Sequence, residues 1–277
     1  MILITGASGN VGSEAARLLG AQHQPTRALV RDAAGAPRAD VEIVTGDFER
    51  PDTLDAAMRG IETVILVSPA IPAQEIAVIA SAVRECVRHI IKITSKASDD
   101  SPVERRRGQA RIEAYLETSG LSYTLLRANA YMQNLLALAP MIKQLGRFVM
   151  SAGGQVGMID TRDVAATAAT VAAEATVHAG RTYWLTGPDL ITYNDVAKEL
   201  SDAVGYEIEY RRTTPAEHRA AMVQAGLPET VATSNAQAFG LIAEGNAAWL
   251  SDEVAAITGA APRSLRTFIA DHIAAFT

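Results

Sequence analysis

The segment that decides the fold reads Ile2-Leu3-Ile4-Thr5, then Gly6-Ala7-Ser8-Gly9-Asn10-Val11-Gly12, and then Ser13-Glu14-Ala15-Ala16-Arg17-Leu18-Leu19-Gly20. The first part is an apolar, β-branched run typical of a buried strand, and the last part has the pattern of a helix. The glycines between them follow the spacing GxxGxxG. The first permits a tight turn, the second lets the backbone approach a pyrophosphate, and the third allows close packing of helix on strand. This loop, lying between a strand and a helix, predicts a dinucleotide-binding site rather than a plain glycine-rich turn.

Short apolar runs alternate with helical patterns through the first half of the chain, which is typical of βαβ units in a parallel sheet. Two capping patterns mark helices in this half: Asp52 before a helix ending at Gly60, and Ser101-Pro102 with Glu104 before a helix ending near Gly120. We therefore predict an α/β fold with a doubly wound parallel sheet, the Rossmann arrangement. The predicted strands are Ile2–Thr5, Thr26–Val30, Val41–Thr45, Thr63–Val67, Ile90–Thr94 and Ser122–Leu126.

Longer helical patterns and fewer strands follow residue 130. Arg181–Leu185 is predicted to rejoin the main sheet, and Tyr206–Tyr210 to form a strand between helices. We expect residues 1–150 to form an NAD(P)-binding Rossmann domain whose sheet is completed within 151–187. Residues 188–277 would form a smaller, mainly helical substrate-binding cap over the carboxyl ends of the strands, where ligands bind in open α/β sheets.

The composition excludes several classes of protein. With 25 Lys and Arg against 31 Asp and Glu, the net charge is −6, which is unsuited to a nucleic-acid backbone. The one cysteine, Cys86, is expected in the core, and neither it nor the five histidines have metal-ligand spacing, so no metal site is expected. No apolar run reaches the roughly 18 residues of a membrane span, and the amino terminus resembles neither a signal nor a transit peptide. We expect a cytoplasmic protein without a membrane partner.

The end of the second strand bears on the choice of cofactor. An acidic residue there would bind the ribose of NAD, whereas a basic residue would pair with the 2′-phosphate of NADP. Both occur here, as Arg31-Asp32. Because Arg31 comes first and its planar guanidinium suits a phosphate, NADP is favoured and NAD remains an alternative. A solvated loop arginine is the other interpretation of Arg31.

Two further segments follow strands. Gly46-Asp47-Phe48 offers a carboxylate for the adenine amino group and a ring for stacking, or is simply a turn with a buried Phe48. Val67-Ser68-Pro69 ends the fourth strand, where Ser68 and Pro69 would let the cofactor pass close to the backbone.

These segments together resemble the NmrA-like group of atypical short-chain dehydrogenases/reductases. The resemblance also includes Ser119–Arg127, Tyr131-Met132-Gln133-Asn134 and the carboxyl-terminal Thr258-Gly259 with Pro262-Arg263-Ser264 and the helix ending at Phe276. It covers nearly the whole chain. The group includes NADPH:quinone oxidoreductases and triphenylmethane-dye reductases. Each motif is weak alone, but their order and spacing are specific.

The resemblance also implies roles for residues. Gly6, Ser8, Gly9, Asn10 and Val11 would surround the pyrophosphate, Arg31 would bind the 2′-phosphate, and Asp47 and Phe48 would flank the adenine. Thr94-Ser95-Lys96 would lie near the nicotinamide ribose, and Ala128–Tyr131 would line the nicotinamide pocket. This sequence departs from the family pattern at two positions. The family's Leu-Arg-Pro motif ends in Ala128 instead of proline, and Gln109 replaces the histidine that often stands four residues before the helix glutamate, here Glu113.

The usual catalytic pair of short-chain dehydrogenases is absent. That pair, Tyr-x-x-x-Lys, moves a proton to or from an alcohol or ketone. None of the seven tyrosines has a lysine four residues on. The sequence therefore favours hydride transfer to an acceptor that needs little acid catalysis, such as a quinone or a cationic dye.

Lys96, Tyr131 and Asn134 are the candidate catalytic residues. Lys96 would stabilise negative charge on an acceptor oxygen, or is a solvated loop lysine. Tyr131 and Asn134 would orient the acceptor, or serve only to pack and cap the start of a helix. The run Arg105-Arg106-Arg107 is expected to be mostly solvated, because three consecutive helical positions cannot share a face.

Three functions fit this sequence. We expect an NAD(P)H-dependent oxidoreductase that transfers hydride to a quinone-like or extended aromatic acceptor. The alternatives are a non-catalytic, NAD(P)-sensing regulatory protein and a tailoring redox enzyme acting on a polycyclic aromatic metabolite. A homodimer is possible, since alanine-rich stretches such as Asp163–Ala173 suit a core or an interface.

Overall fold

The computed structural model describes residues 1–277 and contains nine strands. They are β1 Ile2–Ile4, β2 Thr26–Val30, β3 Glu42–Thr45, β4 Thr63–Leu66, β5 His89–Thr94, β6 Ser122–Ala128, β7 Arg147–Met150, β8 Thr182–Leu185 and β9 Glu209–Arg212. Seven of them form one sheet in the order β3-β2-β1-β4-β5-β6-β8, with every neighbouring pair parallel. The predicted doubly wound parallel sheet is confirmed, and β8 rejoins it as expected.

Twelve α-helices surround the sheet and form most of the carboxyl-terminal part. They are α1 Asn10–Ala21, α2 Pro51–Met58, α3 Pro72–Arg84, α4 Glu104–Thr118, α5 Ala139–Leu145, α6 Thr161–Ala173, α7 Tyr193–Val204, α8 Pro215–Gln224, α9 Glu229–Ala243, α10 Glu253–Thr258, α11 Leu265–Asp271 and α12 Ile273–Phe276. None of them combines the length and the apolarity that crossing a bilayer requires.

The two faces of the main sheet bury separate apolar clusters. On one face, residues of α1 and α6 pack against the strands, and on the other face α2, α3 and α4 do so. Central strand residues such as Leu3, Ile65 and Ile91 are fully buried. This burial on both faces explains why the strands appear in the sequence as nearly continuous apolar runs.

A third cluster lies in the smaller part of the molecule. It joins α5, β7, α7 and α11 around Phe148, which stacks on Tyr210 with ring centroids 5.4 Å apart. Here β7 and β9 form a separate two-stranded parallel sheet. Arg147–Met150 therefore pairs with the cap segment rather than with the main sheet. The division of the chain at residue 150 stays a prediction.

Several local predictions need correction. The helix after Ser101 begins only at Glu104, because the Ser101 hydroxyl accepts a hydrogen bond from the Val103 amide in the preceding turn. The helix near Asp52 begins at Pro51, so Asp52 lies in its first turn. The strand predicted over residues 206–210 begins only at Glu209. Cys86 is exposed, with a φ of 56°, in the turn after α3 rather than in the core.

Candidate active site

The glycine loop joins β1 to α1 in a turn that has no room for side chains. Gly6 has a φ of 57°, and a Cβ at this position would lie 2.6 Å from the carbonyl oxygen of Val67. A Cβ on Gly12 would collide with the backbone of Gly6. No side chain caps the first turn of α1, so its N–H groups and its positive dipole end remain available to an anion. The loop therefore leaves the start of α1 open to an anion such as a phosphate group.

A cavity of about 430 Å³ begins beside this loop and extends over the carboxyl ends of β4, β5 and β6. Its far wall is apolar and comes from the cap segment, through Ile242, Ala247 and Trp249. Trp249 is held edge-on against Trp184 at the end of the sheet, with ring centroids 5.2 Å apart. The cavity thus lies where the ligand crevice of an open α/β sheet is expected.

The structure brings many of the predicted site residues together. Those that line the cavity are Asn10, Val11, Ser68, Pro69, Thr94, Ser95, Lys96, Tyr131 and Asn134. Gly6, Ala7, Ser8, Gly9 and Gly12 belong to the adjoining loop. Arg31, Asp47 and Phe48 lie outside the cavity wall, at the carboxyl ends of β2 and β3. The roles of all these residues remain predictions.

Two of the residues outside the cavity have local partners. The Asp47 carboxylate accepts a hydrogen bond from the Glu49 amide at 2.9 Å, and Phe48 packs partly buried against the α2–α3 face. Asp32 likewise accepts from the Ala34 amide at 3.0 Å. Arg31 is exposed and makes no side-chain hydrogen bond or ion pair. At the end of β2, the basic side chain is therefore free and the acidic one is engaged.

Ser68 is fixed by a buried ion pair below the cavity. Its hydroxyl donates to Glu75 at 2.6 Å, and the Lys92 ammonium donates to the other oxygen of the same carboxylate at 2.5 Å. The exposed fractions are 1% for Glu75 and 0% for Lys92. Burial lowers the pKa of Lys92, and the Glu75 charge opposes this shift. The pair links α3 to β5 and holds the loop at the end of β4.

Thr94 is held in a similar way at the end of β5. Its hydroxyl donates to Glu113 of α4 at 2.7 Å, and the Arg127 guanidinium donates to the other Glu113 oxygen. Arg127 also lies over the Trp184 ring, 5.0 Å from its centroid. Arg127 occupies the motif that departs from the family pattern, and its contacts show that it fastens α4 and β6 beneath the cavity.

Lys96 is partnered rather than solvated. Its ammonium donates to the side-chain oxygen of Asn246 at 3.0 Å, and Arg106 donates to the same oxygen at 2.9 Å. Asn246 follows α9 in the cap segment. We call this arrangement the Asn246 bridge, since it joins the ends of β5 and α4 to the cap across the mouth of the cavity.

Tyr131 presents its ring to the cavity while its backbone begins the 3₁₀ helix Met132–Leu138. Burial raises the pKa of the Tyr131 phenol to about 12, and the nearby Arg105 charge opposes the shift. The hydroxyl is therefore protonated at neutral pH. No group of the chain forms a hydrogen bond with it, so it can donate to a ligand oxygen. The backbone N–H of Asn134 donates to the Tyr131 carbonyl at 3.1 Å in the first turn of this 3₁₀ helix, and the role of the Asn134 side chain stays a prediction.

The sequence did not assign three polar residues of α4 in the cavity wall to the site: Arg105, Arg106 and Gln109. Arg107 and Arg111 pair with Glu104 outside the cavity, as expected for solvated charges. Gln109, however, lies one turn after Arg105 and Arg106, so these three share a face. That spacing, together with the departure from histidine at Gln109, was the signal available in the sequence.

Comparison with known proteins identifies the family. The model of the NmrA-like family matches residues 1–260, so this chain belongs to the NmrA-like family. An NAD(P)H azoreductase from Xenophilus azovorans is 35% identical over 100% of this chain and 99% of its own length. A (4-alkanoyl-5-oxo-2,5-dihydrofuran-3-yl)methyl phosphate reductase from Streptomyces griseus is 33% identical over 100% of this chain and 99% of its own length.

A solved structure has the same fold over the whole chain. The NADPH-dependent quinone oxidoreductase from Escherichia coli superimposes with a TM-score of 0.88 at 29% identity, covering 99% of this chain and 100% of its own. The resemblance predicted from the glycine loop and the later motifs is confirmed.

Proposed function

We propose that this chain is an NAD(P)H-dependent oxidoreductase that transfers hydride to a quinone-like or extended aromatic acceptor. The observation that carries the proposal is the single cavity that joins the glycine loop to the apolar wall of Ile242, Ala247 and Trp249. Relatives named as an azoreductase and a quinone oxidoreductase support it, because both act with a nicotinamide cofactor. Such acceptors delocalise the incoming electrons, so the chain's lack of a Tyr-x-x-x-Lys pair is no obstacle.

The residues of the loop fit NADPH. The tight turn that Gly6 and Gly12 permit, and the uncapped start of α1, suit the pyrophosphate. Gly6, Ala7, Ser8, Gly9, Asn10, Val11 and Gly12 would bind there, Ser68 and Pro69 would lie along the cofactor, and Thr94 and Ser95 near its nicotinamide ribose. Asp47 and Phe48 would flank the adenine. When bound, NADPH supplies the hydride.

The chain's own groups position the acceptor and balance its charge. Lys96 would stabilise negative charge developing on an acceptor oxygen, while the protonated Tyr131 and the Asn134 amide would orient that oxygen. The apolar cap wall would keep the aromatic rings in place and exclude water. Bulk water would supply the proton that completes a quinol after the hydride has been transferred.

The decisive experiment compares turnover with binding. NADPH oxidation is followed by absorbance with a panel of quinones, dyes and aromatic ketones, and cofactor affinity is measured by fluorescence titration. We expect cofactor-dependent turnover of at least one conjugated acceptor. Tight NADPH binding without turnover of any acceptor would contradict the proposal and support a cofactor sensor. Turnover only of polycyclic substrates would point to a tailoring enzyme.

Arg31 is expected to determine the preference for NADPH. Its guanidinium is free at the end of β2, whereas Asp32 is engaged by the Ala34 amide. Arg31→Ala should weaken NADPH binding about 10- to 100-fold, as expected for losing charge-assisted hydrogen bonds, and leave NADH affinity nearly unchanged. Arg88→Ala, which removes an exposed charge before β5, is the matched control. Equal loss for both cofactors would remove Arg31 from phosphate recognition.

Lys96→Met is expected to slow quinone reduction by about 100-fold, the typical effect of losing one donor to a developing oxyanion. NADPH affinity should change far less. Asn246→Ala is the control, because it breaks the Asn246 bridge but keeps both cations. It should slow turnover less than Lys96→Met does. Unchanged quinone reduction in Lys96→Met would exclude Lys96 from the mechanism.

A homodimer and a cytoplasmic location are part of the same proposal. Size-exclusion chromatography with light scattering tests the first, and a fluorescent fusion tests the second.

A further inference from the structure

The face of α4 that borders the cavity concentrates positive charge. Arg105, Arg106 and Lys96 line the cavity, and none of the lining residues is an aspartate or a glutamate. In a chain of net charge −6, such a one-signed wall is unusual. Unpaired like charges in a partly closed space repel each other, and an anion placed between them relieves that repulsion.

The partners of these groups are incomplete. Arg105 makes no hydrogen bond or ion pair within the chain, and Arg106 has only the neutral oxygen of Asn246. Burial lowers the pKa of both guanidinium groups, and the Arg105 charge lowers that of Arg106 further, although Arg105 itself is exposed. By contrast, Arg107 on the same helix is paired with Glu104. Two cations thus line the cavity with their donors largely unused, Arg106 half-buried and Arg105 exposed to solvent.

Gln109 provides an independent observation. Its side chain is only 4% exposed and lines the cavity, yet its amide forms no hydrogen bond within the protein, and its carbonyl oxygen is fully buried without a partner. Buried amides normally have partners. The buried oxygen is an acceptor without a donor, while the NH₂ group of the same amide, which also has no partner in the protein, can donate to a ligand oxygen.

We propose that the acceptor carries an anionic substituent, a phosphate, sulfonate or carboxylate, which binds between Arg105, Arg106 and Gln109. This inference rests on the proposed function, since it assigns the substrate class of the same cavity. The conjugated part of the substrate lies against the cap wall of Ile242 and Trp249, and its anionic group lies against α4. The residues of this group belong to α4, whereas Asn10 and Val11 at the start of α1, which line the same cavity, would serve the cofactor.

The test uses a naphthoquinone and its sulfonated analogue with the full-length protein and NADPH. Arg105→Gln should raise KM for the sulfonated quinone about tenfold, and Arg105→Glu about 100-fold, as expected when charge-assisted hydrogen bonds are lost or replaced by repulsion. KM for the uncharged quinone and the affinity for NADPH should change less than about twofold. Gln109→Leu should also weaken the binding of the sulfonated quinone selectively, with little effect on the uncharged quinone. Arg107→Gln, on the outer face of α4, is the control.

If the Arg105 variants change KM equally for the two quinones, the anion site is overturned while the proposed reductase activity stands. If they weaken NADPH binding instead, Arg105 belongs to the cofactor site, and the anion site is again overturned. Calorimetry with NADP⁺ present compares the equilibrium binding of naphthalenesulfonate with that of naphthol, and so tests the anion site without turnover. Selective sulfonate binding that is lost in Arg105→Glu supports the site even if no quinone is reduced, in which case only the proposed reaction fails.

Discussion

Glu75→Leu is expected to reduce the free energy of unfolding by about 3–5 kcal/mol, because it leaves the Lys92 ammonium buried without its partner. The Lys92 side chain has no exposed surface through which water could solvate the charge. The substitution also removes the acceptor of the Ser68 hydroxyl. Urea denaturation monitored by circular dichroism measures the change.

The double variant Glu75→Leu/Lys92→Met separates the pair's charge from its packing. Replacing both members of a buried ion pair with apolar side chains is commonly neutral or stabilising, so we expect most of the lost stability to return. Asp52→Leu, which breaks the exposed pair with Arg50, should cost less than about 1 kcal/mol. A loss below about 1 kcal/mol in Glu75→Leu would show that Lys92 finds another partner or water.

Gly12→Ala is expected to weaken NADPH binding about 10- to 100-fold, which corresponds to roughly 1.4–2.8 kcal/mol of lost interaction. The new methyl group would meet the carbonyl of Gly6, and because both groups belong to the backbone, the loop or α1 must move. The same overpacking should lower the free energy of unfolding by about 1–3 kcal/mol. Fluorescence titration and thermal unfolding measure the two effects.

Gly240→Ala is the matched control for this glycine. It lies within α9, where an added methyl group would meet no atom within 4 Å. Since alanine favours helix, the variant should be as stable as the parent or more stable by up to about 1 kcal/mol. If Gly12→Ala loses stability but keeps its affinity for NADPH, the loop does not hold the pyrophosphate.

The central sheet could be predicted from the sequence because its signals are local. Each buried strand is an apolar run, and the loop from Gly6 to Gly12 identifies both the first crossover and the edge where ligands bind. The strand β7 could not be found in this way. Its partner β9 lies about 60 residues further along the chain. The four residues of β7 mix polar and apolar side chains, and so short a segment carries no sequence signal for such a distant pairing.

The site was predicted where residues directly follow strands. Ser68, Thr94 and Lys96 come at the carboxyl ends of parallel strands, which meet at one edge of the sheet, so their proximity follows from topology. The face that α4 turns to the cavity depends instead on how the helix packs against the rest of the molecule. The arginines were assigned to solvent because three consecutive helical positions cannot share a face, and the spacing that puts Arg105 and Arg106 on one face with Gln109 was not used.

The Asn246 bridge also bears on how the cap segment is attached to the sheet. One side-chain oxygen accepts hydrogen bonds from both Lys96 and Arg106, so the loss of either donor would leave the other hydrogen bond in place. Because Arg106 also belongs to the proposed anion site, an anion that withdrew Arg106 from Asn246 would cost the cap one of these two hydrogen bonds and no more. The charge of the substrate and the attachment of the cap would thereby be coupled through a single acceptor atom.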